Sequence, residues 1–133
     1  LFEQLDIHNV LMSGTILKPS MVISGDNNKS RADVSTVAEM TIKRLSDSCP
    51  NDLGGIAFLS GGQSDDEATS HLNMMNKHNK DLPWRVTFSY ARAIQQSALN
   101  AWRGDDSNQS KAQEILSGRA KACSDASVGN LST

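Results

Sequence analysis

Aromatic side chains are scarce in this chain of 133 residues, at 5% of the composition, yet 38% hydrophobic and 21% charged residues stay within reach of a soluble globular protein. Cysteine is scarcer. Cys49 and Cys123 are too few and too far apart for a disulfide framework or a metal cluster, and read as two reduced thiols. No run nears the roughly 18 apolar residues that span a bilayer, so no membrane segment is expected. A basic region followed by an apolar stretch is also missing from the start, Leu1-Phe2-Glu3-Gln4; the start lacks Met and reads as processed or incomplete. Charge of one sign is not in excess. A net −2 with interspersed signs gives no basic stripe for nucleic acid or anionic lipid. No repeat and no G-x-G-x-x-G or Walker pattern is present, which disfavours a nucleotide domain. His8, His71 and His78 share no ligand spacing with one another or with the cysteines, so neither metal nor cofactor is expected.

What is there is an alternation of strand-like and helix-like segments, in a length suited to one domain. That order predicts an α/β fold with parallel strands. The first strand is expected at Asn9 to Leu17, closed by Lys18-Pro19 because proline lacks the ladder donor. A polar loop with a Gly25-Asp26-Asn27-Asn28 turn follows. Next comes a helix capped by Asp33 or Ser35, with Val34, Val37, Ala38, Met40, Thr41 and Leu45 on its buried face and a stop before Pro50. A second strand, Gly55 to Leu59, runs into Ser60-Gly61-Gly62 and a helix opened by a Ser64-Asp65-Asp66-Glu67 capping box. Its Leu72 and Met75 can face a core, and Met74, Met75 and Met40 read as core filling. A third strand at Trp84 to Phe88 leads through Ser89-Tyr90 to a helix from Ala91 to Trp102. The last helix spans about Ser110 to Ser124, and residues 125–133 read as a small, polar, mobile tail. Three such units cannot close an eight-stranded barrel, which takes about 250 residues. Open parallel edges make the chain look unfinished.

The carboxyl ends of these strands hold the residues able to do chemistry, since ligands of parallel α/β folds bind there. Lys18 either meets water or, partly desolvated, has a free amine able to attack a carbonyl and form an imine. Ser60-Gly61-Gly62 is either a tight turn or a cradle whose amides approach a phosphate at a helix start. Ser89-Tyr90-Ala91-Arg92 repeats that arrangement; Arg92 is either a surface ion-pair residue or a planar fork for phosphate. Asp65, Asp66 and Glu67 suit a helix start better than acid-base work.

Together these strand ends resemble a known family. Gly14-Thr15-Ile16-Leu17-Lys18-Pro19-Ser20-Met21-Val22 looks like the lysine strand of class I fructose-bisphosphate aldolases. Phe58-Leu59-Ser60-Gly61-Gly62-Gln63-Ser64, continuing to Met75-Asn76, is similar to that family's next unit, and Phe88-Ser89-Tyr90 with Arg92-Ala93 and Gln96 through Trp102 to its last. The resemblance covers about His8 to Gly129. It implies strands six to eight of a (β/α)8 barrel, so that residues 1–133 form a single partial domain.

The implied reaction is metal-independent cleavage of fructose 1,6-bisphosphate, with Lys18 as imine-forming residue. The substrate phosphate would be held by Ser60, Gly61, Gly62, Ser89, Ala91 and Arg92. A sugar phosphate partner, a homotetramer and a cytoplasmic, glycolytic setting are implied likewise. The family's acid-base carboxylates lie on strands this chain does not contain, so the chain alone should be nearly inert. The alternative is a non-enzymatic sugar-phosphate-binding or assembly module. Departures from the family are Ser13 for a glutamate, Ala91 and Arg103 for glycines, and the Asn51 to Gly54 approach to the second strand.

Overall fold

A computed structural model describes residues 1–132; Thr133, the end of the expected tail, lies outside the described residues. The elements are α1 (Phe2–Ile7), β1 (Ile16–Leu17), α2 (Val34–Ser48), β2 (Gly55–Phe58), α3 (Asp65–His78), β3 (Val86–Phe88), α4 (Arg92–Trp102) and α5 (Gln109–Ala126), with short 3-10 turns at Met12–Gly14 and Asp106–Asn108. The three strands form one parallel sheet in the order β1-β2-β3, as the alternating pattern predicts.

Local chemistry accounts for the helices. Asp33 caps α2 by accepting from the Thr36 amide at 2.7 Å, and Val37, Ala38, Thr41, Ile42 and Leu45 form its buried face. Ser64 caps α3 with both arms of the expected box. Its hydroxyl accepts from Glu67 N at 3.2 Å, and its own amide donates to Glu67 Oε2 at 2.8 Å. The core lies between these helices and one face of the sheet, where Ile56, Phe58, Leu72 and Met75 have no exposed surface. α5 closes the opposite side of the helix layer by packing on α3 and α4.

Several expectations are corrected. The first strand shrinks from Asn9–Leu17 to two residues, because Val10 N donates back to Leu5 O at 2.9 Å and Met12–Gly14 form a 3-10 turn, leaving Val10 and Leu11 exposed. Met40 is not core; it is 52% exposed, on the outer side of α2, and Ile42 takes its place. The last helix runs on to Ala126. Residues 125–131 are docked rather than free: Ala126 is buried, its carbonyl accepts from Asn76 Nδ2 at 3.2 Å, and Leu131 N donates to Asn73 Oδ1 at 3.0 Å.

Among the described residues, the sheet is covered on one side only. Alternation puts Ile56, Phe58 and Val86 toward the helices. Ile16, Lys18, Ala57, Leu59, Thr87 and Ser89 share the other face, and none of them is buried. Parallel sheets normally have both faces covered.

Candidate active site at the carboxyl ends of the strands

Lys18 follows β1 directly. The register pairs Leu17 with Ile56 and Ala57 with Thr87, so Lys18 stands level with Ala57 and Thr87 on the uncovered face. Strand pairing continues past it, because Leu59 N donates to Pro19 O at 3.0 Å. The expected desolvation is not met in this chain: Lys18 is exposed. The reason is the face it occupies, over which no element among the described residues folds.

The β2 end is held far more tightly. Ser60 is buried, Gln63 N donates back to Ser60 O at 3.3 Å, and Ser89 N donates to Phe58 O at 2.8 Å, which ties the β3 end alongside. Gly62 has φ +74°, in the left-handed region open to glycine, and a Cβ there would stand 2.9 Å from Ile23 Cδ1. A Cβ on Gly61 would lie 3.7 Å from Arg92 Nη2. The two turns singled out in the sequence therefore meet, with the guanidinium of one over the backbone of the other.

Their helices differ in charge. The first turn of α3 already carries Asp65, Asp66 and Glu67, which answer its positive end. α4 opens with Arg92, with no acid in its first turn and no side-chain cap. Its free N–H groups and Arg92 make it the end suited to an anion. Ala91 sits at φ −99°, so the usual glycine is not required there.

Sequence reasoning missed two neighbours of the glycine turn, and the anchoring of Tyr90 on α3. Arg31 Nη2 donates to Gly62 O at 3.2 Å, and its Nε lies 3.8 Å from Glu67 Oε1. His71, buried on α3, meets Gln63 Oε1 through Nδ1 at 2.7 Å; burial holds its pKa below the ordinary value. Tyr90 donates to Ala68 O at 2.9 Å, and burial pushes its phenol pKa up. No local pattern marks these residues, since each acts on a segment remote from its own. Glu67 is held below the usual carboxylate range chiefly by the Ser64 backbone N–H.

The family model for fructose-bisphosphate aldolase class-I matches residues 1–133. The chain belongs to the class I fructose-bisphosphate aldolase family. It is 45% identical over 128 residues to the cytoplasmic isozyme of Spinacia oleracea, covering 96% of this chain and 36% of that protein. To a probable class 1 aldolase of Xanthomonas campestris it is 48% identical over 130 residues, covering 97% and 39%. Aldolase from Plasmodium falciparum, solved in complex with TRAP and a small-molecule inhibitor, superposes with a TM-score of 0.93 at 41% identity, over 99% of this chain and 38% of that one. The chain thus spans about a third of the length of these relatives. Its fold is a partial barrel of that family: three strand-helix units with one sheet face open. Among the described residues, no helix is long and apolar enough to cross a membrane.

Proposed function

We propose that this chain carries the imine-forming lysine and one phosphate site of a fructose 1,6-bisphosphate aldolase. The observation that carries the reading is the meeting of Arg92 with the Gly61 turn at the strand ends, beside an uncapped helix start. Ser60, Gly61 and Gly62 supply backbone, Ser89 a hydroxyl, Ala91 the entry to α4, and Arg92 a planar fork for one phosphate.

Lys18 adds to the ketose carbonyl and water leaves. The protonated imine then accepts the electron pair of the breaking C–C bond, while a hydroxyl proton passes to a carboxylate outside this chain. Glyceraldehyde 3-phosphate leaves first; the enamine left on Lys18 takes up a proton at carbon, and water hydrolyses the resulting imine to release dihydroxyacetone phosphate and restore the amine. A cytoplasmic setting and a homotetramer belong to the same reading; the names of the spinach and other plant relatives support the first.

One observation favours a second reading for the isolated chain. Lys18 is exposed on an uncovered face, which suits a module that binds a sugar phosphate without cleaving it. Grafting residues 1–130 into the Xanthomonas campestris relative in place of its matching segment separates the two. The aldolase reading expects cleavage by the graft and a loss on the order of 10³-fold or more in kcat for Lys18→Ala. A folded graft that binds substrate but does not cleave it supports the module instead.

A further inference from the structure

The two phosphate turns are held at one spacing by a residue from neither of them. Arg119 projects from α5, its side chain only 14% exposed, into the notch between the starts of α3 and α4. Its Nη2 donates to Asp65 O at 2.6 Å, and Asp65 is the first residue of α3. Its Nε donates to Ala93 O at 3.1 Å, one residue after Arg92. Nη1 donates to the Asp66 carboxylate at 3.0 Å, and Nε lies 3.8 Å from Asp65 Oδ2. That same Asp65 oxygen accepts from Ser97 Oγ on α4 at 2.5 Å, a second bridge between the two helices.

A guanidinium is flat and its N–H directions are fixed, so two carbonyls held by one fork are held at a set distance and angle. The first carbonyl lies three residues beyond Gly62, and the second lies next to Arg92. We infer that Arg119 is a positioning residue, whose fork sets how far the Gly61 turn stands from the Arg92 guanidinium and thereby the width of the phosphate site. This rests on the phosphate reading of those turns, and extends it to a helix outside any motif that suggested that reading.

A lysine should not substitute. The change Arg119→Lys keeps the charge, but a point cation cannot hold two carbonyls at a fixed angle. The test is titration of the full chain with inorganic phosphate, following the backbone amides of Gly61 and Gly62 and the Arg92 Nε–H by NMR. Arg119→Gln, Arg119→Lys and a control, Leu45→Ala, which loosens the core under α2, are compared with the unaltered chain. The expected result is movement of all three signals in the unaltered chain and in Leu45→Ala with equal affinity, and at least tenfold weaker binding in both Arg119 variants. Arg119→Lys alone decides the matter if Arg119→Gln does not fold. Affinity in Arg119→Lys equal to that of Leu45→Ala overturns the positioning role and leaves the phosphate reading intact. Absence of movement in the unaltered chain overturns the phosphate reading, and the inference with it, before any substitution is considered.

Discussion

The two faces of the same three strands have opposite fates. On one, Ile56, Phe58 and Val86 are sealed under helices that the chain itself supplies; on the other, Ile16 is 67% exposed and Lys18 stands in solvent. The glycine turn, the α3 cap and the Arg92 contact are attached to the sealed side, while Ser89 and Lys18 lie on the open face. On the proposed reading, the geometry that would hold an anion is built within the described residues. The apolar surroundings that would activate Lys18 are not.

The largest test of that contrast is a pair of substitutions. Phe58→Ala should cost about 3–5 kcal/mol in denaturant unfolding, whereas Ile16→Thr should stay within about 0.5 kcal/mol. Similar costs for both would erase the difference between the faces. Within the sealed side, Gly62→Ala should cost about 1–2 kcal/mol, because alanine is strained at positive φ, and should also weaken phosphate binding. Ser64→Ala removes one arm of the α3 box and should cost about 1 kcal/mol. At the far end of α4, Arg103 sits in the left-handed region at φ 56°. Arg103→Gly should accordingly stabilise by up to about 1 kcal/mol, read as a rise in melting temperature.

Acidity sharpens the contrast further. Glu67 and His71, both beside the glycine turn, have folded-state pKa values below their ordinary ones. The unfolded chain thus binds more protons than the folded one, so stability rises with pH in both windows. The Glu67 contribution is present above the carboxylate range and lost as pH falls through it; the His71 contribution begins to fade below about pH 6.5. Urea unfolding between pH 5 and 7.5 should show the second slope, and His71→Asn should flatten it. An unchanged slope in that variant would remove His71 from the explanation.

Much of this is legible in the residues because local chemistry decides it. Asp33 and Ser64 announce their helices, and period two sorts Phe58 from Ala57 once the strand is known. Lys18, Ser60 and Arg92 can be picked out because strand ends in parallel sheets are where ligands sit. The first strand is shorter than its apolar run suggests, because local turns claim the backbone before it: Val10 N donates to Leu5 O, and Met12–Gly14 close a 3-10 turn whose Met12 O accepts from Thr15 N and Gly54 N. Met40 has the right spacing for the α2 core but lies on the wrong side of its edge. Arg31, His71 and Arg119 escape notice because their partners, Gly62, Gln63 and Ala93, come together only through tertiary packing.

The central claim, that Lys18 is the imine-forming amine, is tested most directly by trapping. The graft is incubated with dihydroxyacetone phosphate, reduced with borohydride and digested for peptide mass analysis. A single reduced adduct on Lys18, absent from Lys18→Ala, is the expected result. An adduct on another lysine, or none in a folded graft, contradicts the claim.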